Sequence, residues 1–96
     1  MTRYTLWGIY AFMVEYLVQT PAQLAPVLAG ARKSRKLTQK SAGTLVGLLP
    51  KTISGLESAP EKSSLASLFK LLSALELEMV LRPKNRRGGA SQPGEW

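Results

Sequence analysis

From residue 20 onward the apolar positions of the chain fall at helical spacing. Leu24, Val27, Leu28 and Ala31 recur at three- and four-residue intervals and so form one stripe. Thr20 and Pro21 precede that stripe. A threonine N-cap accepts a hydrogen bond from an otherwise orphan N–H, and proline is preorganised for the first helical position. Pro26 falls in the second turn, where it is expected to cost little. This helix closes in Arg32, Lys33, Arg35 and Lys36. Cations are favoured at a helix C-terminus, and the same four side chains are available to phosphate. Farther on, Leu65, Leu68, Phe69, Leu71, Leu72 and Leu75 give a second helix a broad apolar face. It is wide enough for a core on one side and a partner on the other, with Ser63 or Ser64 as its N-cap. The segment SAPEKSS before it reads as a polar loop.

After Leu75 the period changes. Leu77, Met79 and Leu81 alternate with Glu78, Val80 and Arg82, a strand pattern that Pro83 stops. A lone strand at the end of a helical domain has an open edge, and the same strand of a second copy is the economical partner. Leu77, Met79, Val80 and Leu81 are therefore the expected dimer interface. A strand over 15–19 would extend that sheet. The tail from Lys84 to Trp96, KNRRGGASQPGEW, has no apolar periodicity and is expected to be disordered in the free protein. Its closing Trp96 is either a chance residue or an anchor for a pocket on another protein, since Trp is favoured at binding hot spots.

Between the two helices lies the stretch that organises the rest, LTQKSAGTLVGLLPKTISGLES from Leu37 to Ser58. Counted from Gln39, small residues fall at the fourth and fifth positions (Ala42, Gly43), where two closely crossing helices leave no room for a large side chain. Gly47 falls at the ninth, where a turn between helices favours a residue that tolerates positive φ. Val46, Leu48, Ile53 and Leu56 are spaced to lock the second helix onto the first. Thr38 caps the first helix, with Gln39, Lys40 and Ser41 in its first turn, and Pro50 opens the second. Leu49, Pro50, Lys51, Ser54 and Gly55 are left facing outward. This is the pattern of a helix-turn-helix, whose second helix enters the major groove. An exposed helix N-terminus at Thr38 and Gln39 offers donors to phosphate. Glu57 is expected to be structural, bonded to a helix terminus or a nearby Arg, because an acid facing DNA would repel it.

Composition narrows the chemistry. The chain has 96 residues, no Cys and no His, so disulfides, zinc fingers and the usual general base are excluded. A reducing compartment fits. Thirteen Lys+Arg against six Asp+Glu give a net charge of +7 and a pI near 10.2, which favours a polyanionic partner. No catalytic constellation can be assembled, so the chain is not read as an enzyme, and no cofactor or metal is expected. The apolar run from Tyr4 to Val18 is too short for a membrane span and is interrupted by Glu15. Three readings fit it: translation beginning at Met13, an element packing on a partner, or a targeting segment. The first is favoured.

The LTQ…A…VG L…TIS…LE sequence from Leu37 to Glu57 resembles the Xre/Cro family of helix-turn-helix domains. Beyond the motif, TPAQLAPVL before it, SLASLFKLLSALELEMVL after it and the terminal EW resemble the HipB-like antitoxins of HipBA toxin–antitoxin modules. The resemblance runs from about Tyr16 to Leu81, plus the last two residues. It implies a mainly α, lambda-repressor-like domain of four to five helices. Its short C-terminal strand would form an intersubunit β-sheet in a homodimer. It divides the chain into an N-terminal extension (1–15), a DNA-binding and dimerisation domain (16–82) and a flexible tail (83–96). It implies a bacterial, cytoplasmic, nucleoid-associated autorepressor that binds palindromic operator DNA and neutralises a HipA-type Ser/Thr kinase toxin. Carried over by position, Thr38 and Gln39 would contact phosphate, as would Lys40. Lys51 and Ser54 would face base edges, with Thr52 near the backbone, and Trp96 would engage the toxin. Leu49 and Pro50 stand where related antitoxins carry polar side chains. Readout must then lean on Lys51, Ser54 or apolar contact with thymine methyls. Two rival readings are a stand-alone Xre-type repressor and a protein-interaction subunit that no longer reads DNA.

Overall fold

The computed structural model describes residues 15–84. The proposed start at Met13 and Trp96 with the rest of the tail beyond Lys84 lie outside the described residues. Among the described residues four α-helices follow one another: α1 (Pro21–Ser34), α2 (Gln39–Val46), α3 (Pro50–Ser58) and α4 (Leu65–Ala74). The SAPEKSS segment is more ordered than a loop, because Pro60–Lys62 forms a 3-10 turn against α3 and α1. Helix α1 packs on α3, and α2 packs on both α3 and α4. Leu28, Ile53, Leu56, Leu71 and Leu75 are fully buried at the centre, one or two from each of α1, α3 and α4 or its end. At about 1.5–3 kcal/mol per buried aliphatic side chain, these five dominate the attraction between the helices.

The helix starts follow the expected capping chemistry. Thr20 Oγ1 accepts from Gln23 N at 3.2 Å while Gln23 Oε1 accepts from Thr20 N at 3.1 Å. Thr38 and Ser41 exchange the same pair of bonds at α2, at 2.9 and 2.8 Å. Ser64, rather than Ser63, caps α4 by accepting from Ser67 N at 3.0 Å. Pro26 lies in the second turn as expected, but its cost there is larger than expected. It lies inside α1, well beyond the N-terminal orphan donors, where a proline costs up to about 3 kcal/mol relative to Ala. Burial of Ala25, Leu28 and Ala31 on the core side holds the helix through it.

Two helix ends carry a device that no glycine announces. Beyond α1, Lys36 adopts φ 59°, and Leu37 N donates back to Arg32 O at 3.1 Å. Beyond α4, Glu76 adopts φ 55°, and Leu77 N donates to Leu72 O at 2.8 Å. Both are Schellman endings with a left-handed non-glycine residue, followed by a leucine that packs on the core. Arg35 Nη2 and Glu76 Oε2, 3.0 Å apart, tie the two ends together. Leu77, expected to open a strand, therefore serves first as the apolar stop of α4. Residues 77–84 lie outside any helix and pair with no strand among the described residues, and 15–19 likewise form none. Arg82 Nη1 and Glu15 Oε1, 3.6 Å apart, nonetheless lay these two segments alongside each other.

Candidate nucleic-acid interface

The α2–α3 unit is built by two glycines with different duties. Gly43 is buried where the helices cross, and a Cβ there would overlap the carbonyl oxygen of Leu48. Gly47 ends α2 in the left-handed region, φ 73° and ψ 32°. A side chain at that φ would be strained even though the space around it is open. Ala42, Ile53 and Leu56 are buried and Val46 and Leu48 half-buried, as their spacing requires.

Behind this unit sits an ionic hub. Glu57 on α3 accepts from Arg32 Nε at 2.6 Å, from Arg32 Nη2 at 3.1 Å and from Gln39 Nε2 at 3.1 Å. Arg32 Nη1 also donates to Leu37 O at 2.8 Å. One bidentate pair thus joins the end of α1, the following linker, the first residue of α2 and the last turn of α3. The side chains are only 11% and 8% exposed. The hydrogen bond that Arg32 donates to Glu57 holds the guanidinium pKa above its ordinary value, opposed by burial and assisted by the carboxylate charge. The sign fixes the pH window. A raised basic pKa contributes in full below the unfolded value and is lost only as pH rises through the folded one, far above neutrality.

The expected DNA-facing residues separate into groups. Lys40, Leu49, Pro50, Lys51 and Ser54 are exposed, while Thr52 is half-buried. Neither Lys40 nor Lys51 meets a carboxylate among the described residues. Thr38 is exposed, but its hydroxyl is engaged with Ser41 in the cap. Gln39 is half-buried with one amide N–H committed to Glu57, which leaves its second N–H for another acceptor. Gly55, expected on the outward face, is half-buried, and a Cβ there would point toward Ser63 Oγ, 3.9 Å away. Of the basic cluster closing α1, Arg32 and Arg35 are held by Glu57 and Glu76, while Lys33 and Lys36 are exposed. On the opposite flank Leu77 is half-buried, and Met79, Val80 and Leu81 are exposed together with Tyr16 and Leu17. Exposed Leu45 on α2 was not anticipated from the pattern.

Among the described residues no group of His, Cys, Asp or Glu is arranged to hold a metal, and no helix is long and apolar enough to cross a membrane. A tight bihelical unit on a small helical core, with an acid-free basic outer face, defines a helix-turn-helix regulator of the lambda-repressor-like class. No family model matches the chain. It is 36% identical over 76 residues to antitoxin HipB of Escherichia coli O6:H1 (strain CFT073), spanning 79% of this chain and 80% of that protein. It is 34% identical over 64 residues to antitoxin HipB of Escherichia coli K12, spanning 67% and 73%. The chain belongs to the HipB antitoxin family. Among solved structures it superposes on a single-substitution HipB variant in an O2 20mer complex with TM-score 0.71 and 30% identity. That match covers 75% of this chain and all of the other. A chain from a HipA–HipB–O2–O3 complex matches with TM-score 0.69 and 32% identity over 72% of this chain and 97% of its own.

Proposed function

We propose that this protein is a DNA-binding antitoxin and autorepressor that binds palindromic operators as a homodimer and neutralises a HipA-type Ser/Thr kinase. The observation that carries the reading is the outer face of α3. It presents Lys51 and Ser54 without a competing acid, on a backbone that superposes on HipB chains solved in 20mer complexes. The N-terminal residues of the second helix of such a unit reach base edges in the major groove. Lys40 and the α2 N-terminus then meet phosphate, with Thr38 fixing that terminus and Gln39 offering its second N–H. Thr52 lies by the backbone. Each phosphate neutralised adds to a steep loss of affinity with salt. Dimerisation through Leu77, Met79, Val80 and Leu81 covers the last three, which are otherwise exposed, and sets half-sites about one helical turn (~34 Å) apart. Trp96 and the tail supply a contact to the kinase, and family membership supports that partner.

Affinity co-purification of the tagged protein, expressed with its neighbouring genes from native DNA, tests the whole reading. Recovery of a kinase-sized partner together with a shift of the protein's own promoter is expected. A clean homodimer that shifts the promoter alone would instead make it a stand-alone repressor. A kinase complex with no operator binding would make it an interaction subunit.

A further inference from the structure

The recognition helix differs from its three neighbours at its first position. Helices α1, α2 and α4 begin at Thr20, Thr38 and Ser64, each of which caps its helix through the side-chain oxygen. Helix α3 begins at Leu49, which makes no side-chain cap bond. Leu49 is also 68% exposed, so neither capping nor core packing accounts for a leucine there. Its neighbour Pro50 is exposed too and lacks an N–H donor. Two successive apolar side chains thus stand at the end of α3 that enters the groove, immediately before Lys51.

Resting on the operator-binding reading above, we propose that Leu49, flanked by Pro50, is a specificity-determining residue that reads the C5-methyl group of thymine in each operator half-site. The major-groove edge of a base pair offers an apolar surface only at that methyl. An exposed leucine beside it gains by removing both surfaces from water. A polar side chain at the same position would instead select a donor or acceptor on a base edge. Lys51, two residues on, selects the guanine O6 and N7 acceptors. The half-site therefore carries both a thymine and a guanine within reach of the first turn of α3. Leucine at the N-cap lowers the stability of α3, and methyl readout is what that position gains in return.

Deoxyuridine substitution isolates the methyl, because uracil keeps the pairing face and the O4 acceptor of thymine. Binding of the full-length protein to its own promoter duplex would be compared with binding to duplexes carrying deoxyuridine at the thymines of the protected half-sites. The wild-type protein is expected to bind the uracil duplex about four-fold more weakly for each half-site altered. Leu49→Ser is expected to raise thermal stability, by restoring a side-chain cap, and to bring the thymine-to-uracil ratio close to one. Leu49→Met, which keeps an apolar tip, is expected to retain the ratio. Opposite signs for stability and discrimination separate readout from folding. Equal wild-type affinity for the two duplexes, or a ratio that persists in Leu49→Ser, overturns methyl reading while leaving operator binding intact. Failure of the wild-type protein to bind its own promoter at any salt overturns both.

Discussion

Arg32 and Lys51 lie in the same helix-turn-helix framework and meet opposite fates. Arg32 is half-buried and satisfied by Glu57 and Leu37, while Lys51 is exposed on α3 with no acid beside it. The difference lies in where the few acids fall. Glu57 and Glu76 pair with the two arginines that close α1, so only part of the +7 net charge is left to meet a ligand. Arg32 ties α1 to α3 through Glu57, and the exposed lysines can address a ligand. A count of Lys and Arg gives the likelihood of a polyanionic partner, and the pairing of each one gives the surface that would meet it.

The largest effect should come from breaking the inner set. Glu57→Gln leaves the half-buried guanidinium without its charge partner and weakens the tie to Gln39. It should cost about 1.5–3 kcal/mol of stability, read from chemical denaturation. Replacing both partners at once, Arg32→Met with Glu57→Leu, should recover most of that loss while the orientation of α3, and with it operator affinity, stays impaired. If Glu57→Gln shifted the denaturation midpoint by no more than a surface substitution does, the hub would be no anchor for α3.

Gly43→Ala attacks the joint between the two regions. The added methyl overlaps the Leu48 carbonyl, a backbone atom that cannot swing aside, and also crowds Ile53 Cδ1 at 3.3 Å. A loss of about 1–3 kcal/mol is expected from overpacking, with a proportionate fall in DNA binding as α3 is displaced. An unchanged melting temperature would mean that the helices can part at this crossing at no cost.

Lys51→Ala touches the outer set alone. Stability should remain within about 0.5 kcal/mol, while discrimination between operator and scrambled duplex falls by about 1–3 kcal/mol in competition binding. Equal weakening on both duplexes would reduce Lys51 to a phosphate contact.

What the sequence made legible was the local and the periodic. Ala42, Gly43 and Gly47 each sit where the bihelical spacing requires, and Thr20, Thr38 and Ser64 cap helices as hydroxyl residues before apolar stripes should. Even the structural role of Glu57 followed from its sign in a basic face. Its bond to Gln39 did not, because a hydrogen bond between side chains 18 positions apart leaves no mark on either helix's own pattern. The Schellman endings were hidden because lysine and glutamate occupy the left-handed positions where glycine is the usual signal. Leu77 consequently read as the start of an alternating strand. Leu65 and Phe69, by contrast, belong to the face read as wide enough for a core on one side and a partner on the other, and they are exposed.

The smallest effect offers the sharpest test of which side of α3 belongs to which region. Gly55 lies between the buried Leu56 and the exposed Ser54, half-buried, with its missing Cβ directed toward Ser63 and in ordinary van der Waals range of that hydroxyl. Gly55→Ala should therefore add helix propensity without a clash, raising stability by roughly 0.5–1 kcal/mol. Operator affinity should hold or rise slightly as α3 becomes better ordered. A stabilised protein that lost its operator would place Gly55 against the DNA, and the boundary between anchoring and reading faces would move one residue toward the core.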